Sequence, residues 1–242
     1  MSVAVKTENL TKKYKDKTAV DGINFSINEG ELFALLGVNG AGKTTTIRML
    51  SCLSTPTDGN AYVFEKDVVK ESGFVKSIIG ISPQDTAVAE KLTVEENLKF
   101  MASIYSKGDE RIEEIIKMFK LSEVRSKKAK TLSGGWKRKL SIAMAIIGEP
   151  KILYLDEPTL GLDVLARREL WKEIEILKKS MTIILTTHYM EEAEALADRI
   201  AVMIEGKIAA IGTLEELENK TGRKGLEEVF VSIAGEGEND CE

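Results

Sequence analysis

Residues 37–44 read Gly37-Val38-Asn39-Gly40-Ala41-Gly42-Lys43-Thr44, which follows the pattern G-x-x-x-x-G-K-T. The glycines lack a Cβ atom, so the backbone can curl and present successive N–H groups to phosphate oxygens. Lys43 supplies a mobile positive charge for the β- and γ-phosphates, and the Thr44 hydroxyl is a hard oxygen ligand of the kind that Mg²⁺ prefers. The stretch therefore predicts a phosphate-binding loop.

The flanking sequence agrees with this prediction. Leu32–Leu36 (LFALL) is a continuous apolar run, as expected of a strand that is buried on both faces. Thr44–Leu53 favours a helix, and the positive end of its dipole would point at the phosphates. A glycine-rich turn with an incidental lysine is the alternative, but it would not require a strand before it and a helix after it.

Composition narrows the class of protein. The chain has 242 residues, 43% of them hydrophobic and 30% charged, and a net charge of −5, which indicates a globular protein with a sizeable core. An acidic balance argues against a nucleic-acid-binding surface. We expect no signal peptide and no membrane-spanning segment, and we expect Cys52 and Cys241 to be reduced thiols in the cytoplasm.

The remaining pattern indicates an α/β protein. Residues 3–28 alternate polar and apolar residues, which predicts antiparallel strands, and Tyr14 among them offers a flat face for an adenine. Residues 86–148 are mostly helical in pattern. We therefore expect a P-loop NTPase core with a mostly parallel sheet, an N-terminal antiparallel β subdomain and an inserted α-helical subdomain.

Two apolar strands deliver polar side chains at their ends. Ile152–Leu155 is followed by Asp156 and Glu157. Ligands bind at the carboxyl ends of strands in open α/β sheets, so we expect Asp156 to serve Mg²⁺ and Glu157 to polarise an attacking water. The strand at 182–185 leads to His188, the only histidine of the chain. A lone histidine is usually structural, but the end of this strand lies beside the predicted phosphate site.

Two further stretches are candidate site residues because of their position in the chain. Ser133-Gly134-Gly135 opens a helix, where a serine and two glycines suit either an anion or a simple N-cap. Gln84 follows a strand at 78–82 and would on its own be an ordinary loop residue.

In this order the motifs resemble the ATP-binding cassette (ABC) family over nearly the whole chain. The resemblance makes residues 37–44 the Walker A loop, Leu132–Trp136 the signature, Ile152–Asp156 Walker B and Gly161–Asp163 the D-loop. It implies catalytic roles for Glu157, His188 and Gln84, and metal ligation by Thr44, Gln84 and Asp156. It implies nucleotide contacts from Tyr14, Gly37, Val38, Asn39, Gly40, Ala41, Gly42, Lys43, Thr44, Thr45, Ser133, Gly134, Gly135 and Asp163.

The family resemblance also implies ATP and Mg²⁺ as ligands. It implies a head-to-tail dimer, with each ATP between one P-loop and the Ser133-Gly134-Gly135 of the opposite chain. One residue departs from the family pattern: Trp136 stands where the signature normally ends in glutamine, which leaves contacts on the sugar side open. Residues 212–217 and 225–230 resemble exporter-type cassettes that drive drug, lipid or polysaccharide efflux permeases.

We therefore expect residues 1–235 to form one nucleotide-binding domain, with residues 236–242 an acidic, disordered tail. The expected protein is the ATPase subunit of an exporter, bound through its permease to the inner face of the cell membrane, with a second cassette as partner and no nucleic acid. The stretch between residues 45 and 132 leaves no room for the long coiled coil of DNA-repair ATPases. A soluble scaffold ATPase, as in iron–sulfur cluster assembly, remains the alternative.

Overall fold

The computed structural model describes residues 2–239, with backbone alone for 236–239. It contains ten strands, β1 to β10 in chain order. Their bounds are Val3–Tyr14, Lys17–Asn28, Leu32–Leu36, Asp58–Val63, Lys66–Asp67, Ile79–Ser82, Ile152–Asp156, Thr182–Thr187, Arg199–Ile204 and Lys207–Gly212.

The strands form two sheets. The first is antiparallel with the order β2-β1-β4-β5, and the second has the order β10-β9-β3-β8-β7-β6. In the second sheet β9, β3, β8, β7 and β6 run parallel, and only β10 is antiparallel to its neighbour. The predicted fold class, a mostly parallel core beside an antiparallel sheet, is confirmed.

Nine helices, α1 to α9, connect and cover the sheets within the described residues. Their bounds are Lys43–Leu50, Ser72–Ile78, Val94–Ile104, Asp109–Met118, Gly134–Ala145, Val164–Lys178, Met190–Leu196, Leu214–Thr221 and Leu226–Asn239. Two short 3₁₀ helices lie at Leu121–Val124 and Ala129–Thr131. The helices α3, α4 and α5 all fall between β6 and β7 in the chain, where the helical insertion was predicted.

The central strands β3, β7 and β8 are buried on both faces because they are apolar along most of their length, with their polar residues at the strand ends. All five residues of β3 and of β7 are buried. Along β7 the side chains alternate: Leu153 and Leu155 pack in the cluster that contains the helices of the insertion, whereas Ile152 and Tyr154 pack toward the antiparallel sheet. This double burial makes the central strands a rigid support for the loops at their carboxyl ends.

The C-terminal end of the chain differs from the prediction. Helix α9 continues to Asn239, so the backbone of 236–239 is helical rather than a disordered tail. Each residue added to an existing helix gains one backbone hydrogen bond, so the helix formed from Leu226 onward continues into this polar stretch. The rest of the predicted tail, including Cys241, lies outside the described residues.

No helix within residues 2–239 is both long enough and apolar enough to span a bilayer.

Candidate functional site

A cavity of about 530 Å³ opens at the carboxyl ends of the neighbouring strands β3, β8 and β7. The loop after β3 forms its floor, and residues that follow β7 and β8 form one wall. The cavity is lined by Tyr14, Lys17, Ala19, Asn39, Gly40, Ala41, Gly42, Lys43, Thr44, Thr45, Gln84, Glu157, Leu160 and His188. Residues distant in sequence and predicted to act together thus meet at one place.

The loop between β3 and α1 has the geometry of an anion site. Gly42 has φ 106°, and a Cβ atom there would overlap the Ala19 carbonyl oxygen, so only glycine fits. Helix α1 begins at the next residue and has no side-chain cap. Its first amides therefore lack an intrahelical acceptor, and they point with the positive end of the helix dipole toward the cavity.

Lys43 is buried in this loop. Its Nζ atom donates to the carbonyl oxygens of Gly37 and Val38, at 2.7 and 3.2 Å, and lies 3.2 Å from Oε1 of Glu157. Both side chains of this ion pair are only 6% exposed. The lysine that the motif assigns to phosphate is thus paired with the carboxylate at the end of β7.

Asp156 is held by hydrogen bonds from two threonine hydroxyls. Its Oδ1 atom accepts hydrogen bonds from Thr44 Oγ1 at 3.1 Å and from Thr186 Oγ1 at 2.5 Å. Because β7 and β8 are neighbours in register, Asp156 and Thr186 are paired across the strands. Carboxylate and hydroxyl oxygens are the donors that a hard divalent cation prefers, so Thr44 and Asp156 fit Mg²⁺.

Glu157 adopts a backbone conformation that is rare for a residue with a side chain, with φ 49°. Its amide donates both to the Thr186 carbonyl, at 3.1 Å, and to Thr186 Oγ1, at 3.0 Å, and these bonds hold the turn. The carboxylate is then held at both oxygens, since Nδ1 of His188 lies 2.6 Å from Oε2. Such strain persists where the surroundings enforce it, and it is common at functional sites.

Gln84 is exposed and lines the cavity. Its carbonyl accepts a bond from Arg138 Nη2 at 2.7 Å, and the Pro83 carbonyl accepts from Arg138 Nη1 at 2.7 Å. Arg138 is only 4% exposed, and burial lowers the pKa of its guanidinium from the usual value, although nearby carboxylates oppose this shift. The sequence analysis did not single out Arg138.

The residues of the signature stretch lie outside the cavity lining of this single chain. Ser133 is exposed, and its hydroxyl does not cap helix α5, so the simple N-cap alternative does not account for it. Trp136 packs against the buried cluster of the helical insertion, with the Lys139 Nζ atom 5.3 Å from its ring centroid. The tryptophan is therefore held by its own subunit.

Asp163 also lies outside the lining. Its Oδ1 atom caps helix α6 by accepting from the amides of Leu165 and Ala166, at 3.0 and 2.9 Å. Gly37 contributes a carbonyl to Lys43, and Val38 lines a second cavity that shares part of this loop with the first. Tyr14, the last residue of β1, is 46% exposed at the rim of the main cavity.

Sequence reasoning missed several residues of this site. Lys17, Ala19 and Leu160 line the cavity but belong to no motif. Thr186 was the easiest to find, because a threonine at the carboxyl end of a buried strand faces the same edge as Asp156. No local sequence pattern marks Arg138, since its partners are the backbone carbonyls of Pro83, Gln84 and Glu157, which are distant in the chain.

The strand order, the phosphate-binding loop and the acidic end of β7 together define a P-loop ATPase of the ATP-binding cassette class. Comparison with known families agrees: the family described as "ABC transporter" matches residues 20–160, more than half of the chain. The chain belongs to the ABC transporter family.

Similar sequences come from bacteria and eukaryotes. The daunorubicin/doxorubicin resistance ATP-binding protein DrrA of Streptomyces peucetius is 42% identical over 224 residues, which cover 90% of this chain and 68% of DrrA. The linearmycin resistance ATP-binding protein LnrL of Bacillus subtilis is 40% identical over 233 residues, covering 94% and 75%. ABC transporter A family member 9 of Dictyostelium discoideum is 42% identical over 236 residues, but this chain spans only 28% of that protein.

Solved structures share the fold. An ATP-binding subunit of an ABC transporter superposes with a TM-score of 0.86 at 28% identity, covering 96% of this chain and 99% of the other. A dimeric ATP-binding cassette in a post-hydrolysis state, bound to ADP and Pi, superposes with a TM-score of 0.79 at 28% identity, covering 87% and 98%.

Proposed function

We propose that this chain is the ATP-hydrolysing motor subunit of an exporter-type ABC transporter. One observation carries the proposal: Glu157 stands at the carboxyl end of β7, over the phosphate-binding loop, with Lys43 on one oxygen and His188 on the other. We treat residues 1–235 as one nucleotide-binding domain.

The proposed chemistry begins with Lys43. Phosphate oxygens compete with Glu157 for its ammonium group, and binding of ATP draws Lys43 toward the β- and γ-phosphates. Glu157 keeps His188 as its partner and becomes available to accept a hydrogen bond from the attacking water. Tyr14 offers its exposed ring to the adenine, and the amides of residues 40–45 hold the phosphates.

Mg²⁺ belongs to this proposal as the companion of ATP. Thr44 and Asp156 would hold it, with the side chain of Gln84 as a further oxygen donor at the edge of the cavity. When bound, the ion neutralises charge on the phosphates. Thr186 fixes Asp156 in place through the bond of 2.5 Å between their side chains.

Two chains would complete each site. In the proposed head-to-tail dimer, Ser133, Gly134 and Gly135 of one chain face the γ-phosphate held by the other, and Asp163 lies at the interface. The exposed, non-capping hydroxyl of Ser133 supports this arrangement, because it is available to a ligand from outside its own helix. The dimeric cassette among the structural neighbours supports it independently.

The export role rests on the relatives, two of which are named as drug-resistance ATP-binding proteins. We place this chain at the cytoplasmic face of the membrane, held there by a separate permease. The same relatives give no support to the alternative of a soluble scaffold ATPase.

The test is to purify the full chain from membranes in mild detergent, identify its polytopic partner, and reconstitute both in proteoliposomes. We expect ATPase activity that the partner stimulates, together with transport. Gln84→Ala should lower stimulated ATPase and transport far more than ATP affinity, because Gln84 lies where the nucleotide site meets the helical insertion. A chain that binds a soluble assembly protein and no membrane protein would contradict the proposal.

A further inference from the structure

Arg138 is a buried cation that no motif explains. It lies in the second turn of α5, five residues after Ser133, and is 4% exposed. Within the described part of the chain, its side chain has no carboxylate in hydrogen-bonding range; it donates only to backbone carbonyls. Burying a guanidinium that has no ion-pair partner is costly, because the charge is removed from water. The position therefore calls for a reason other than packing.

The three acceptors belong to the two loops that carry the site. Pro83 and Gln84 follow strand β6, and Glu157 follows strand β7; their carbonyl oxygens lie 2.7, 2.7 and 3.4 Å from the guanidinium nitrogens. Strands β6 and β7 are parallel neighbours, so both loops leave the same edge of the sheet. The planar guanidinium thus joins helix α5, whose N-cap residue is Ser133, to both loops.

The rest of α5 is fastened to β6 as well. Ser141 Oγ lies 2.9 Å from Ser82 Oγ, both buried, and a Cβ atom at Gly80 would overlap the Ala145 carbonyl oxygen. Arg138, Ser141 and Ala145 follow one face of the helix at the spacing that places side chains in line. Helix α5 is therefore packed directly against β6, the strand that leads into the Gln84 loop.

From these contacts we infer that Arg138 is a positioning residue for ATP hydrolysis. Through its hydrogen bonds, the position of the N-terminal end of α5, at Ser133, determines the positions of Gln84 and Glu157. When Ser133 binds a nucleotide on the partner chain, α5 and the Gln84 loop shift together. The hydrogen bonds of the Arg138 guanidinium then move the Glu157 carbonyl with them. Hydrolysis would then be fast only after the dimer has closed. The inference rests on the proposed hydrolysis at Glu157.

The test compares Arg138→Met with Lys137→Met, which removes the neighbouring cation of the same helix, one that pairs with Glu90 at the surface. We expect Arg138→Met to lower kcat about tenfold or more with KM for ATP within about threefold, because positioning is lost and ground-state binding is kept. Lys137→Met should keep kcat within about twofold. Arg138→Lys, which retains charge but cannot fork, should recover only part of the loss.

A double mutant shows whether Arg138 acts through the Gln84 loop. In a Gln84→Ala background, Arg138→Met should lower kcat by much less than it does alone, because both substitutions remove the same contribution, the positioning of the Gln84 side chain. The inference would be overturned if Arg138→Met kept the wild-type kcat, or if the effects of the two substitutions on kcat were fully additive. It would also be overturned if the loss of kcat merely followed the folded fraction in thermal denaturation. If Arg138→Met does not fold, Arg138→Lys is judged by the same criteria. A wild-type chain without ATPase activity would instead overturn the proposed function.

Discussion

At the scale of single residues, the site depends on Thr186. Its hydroxyl donates to Asp156 and accepts from the amide of Glu157, while its own carbonyl accepts from that same amide. The left-handed backbone of Glu157 costs about 1–2 kcal/mol for a residue with a Cβ atom, and these bonds offset the cost. One threonine thus holds both acidic residues at the end of β7.

Thr186→Val keeps the shape of the side chain but removes the hydroxyl. We expect the free energy of unfolding to fall by about 1–3 kcal/mol, because Asp156 and the Glu157 amide each lose a buried partner. Thr46→Val is the control: it is equally buried, but its hydroxyl bonds only the Gly42 carbonyl, which also accepts from a backbone amide. Urea denaturation of the two variants should separate them, and equal losses would contradict the role of Thr186.

The residues of the candidate site could be predicted where a sequence motif contains them, but the contacts between their side chains could not. The sequence indicated Lys43, Asp156, Glu157 and His188 as members of one site, because each follows a recognisable strand. It did not indicate that Lys43 and Glu157 pair with each other. That ion pair depends on the turn at residue 157, which no local pattern encodes.

At the scale of elements, apolar runs predicted strands better than polar stretches predicted helices. The limits of β3 match the LFALL run because burial on both faces demands apolar residues throughout. The sequence pattern predicts a small helix near Val68–Val75, but α2 begins only at Ser72. The side chain of Asp67 accepts from the amides of Val69 and Lys70, at 2.8 and 3.0 Å, and so builds a turn that delays the helix.

Helix α5 carries the one departure from the family pattern, Trp136. Its ring packs within its own subunit, over the ammonium of Lys139, which pairs with the buried Glu173 at 2.8 Å. Trp136→Gln should therefore keep ATPase activity within about threefold while lowering thermal stability, since apolar packing is lost and no catalytic contact is. A hundredfold loss of activity at unchanged stability would place the tryptophan in the nucleotide site.

Helices α3 and α4 are joined through Arg125, which pairs with Glu95 at 2.9 Å and with Glu113 at 2.6 Å. The Arg125 guanidinium, and then the Lys99 ammonium, lower the pKa of Glu95 from 4.5 to about 2. The ionised form is thus favoured by folding, so the stabilisation is present above pH 4.5 and is lost as the pH falls toward 2.

Glu95→Gln should be less stable than the wild type at pH 6, and this difference should shrink between pH 4.5 and pH 2. Denaturant midpoints at a series of pH values measure it. Glu123→Gln is the control, because Glu123 is exposed and has no ion-pair partner among residues 2–239. A difference that does not change with pH would show that the negative charge of Glu95 contributes nothing to stability.

At the scale of the whole molecule, a single chain does not bring Ser133 to the cavity, although the proposed function requires this residue there. The cavity contains the phosphate-binding loop, Glu157 and His188, whereas Ser133 is exposed elsewhere on the same chain. If a second copy supplied its Ser133 to this cavity, the Ser133 of the first chain would enter the cavity of the second. Closure of a symmetric dimer around ATP would therefore complete the site, and hydrolysis would open it.

Glu157→Gln tests this claim most directly, because the amide keeps the size of the carboxylate but cannot accept the proton of the attacking water. The measurement is light scattering of the variant and the wild type with ATP and Mg²⁺, beside ATP binding and turnover. We predict that the variant binds ATP, loses hydrolysis by about a hundredfold or more, and accumulates at twice the monomer mass while the wild type does not. A variant that hydrolyses ATP at the wild-type rate, or that binds ATP and stays monomeric, would contradict the account.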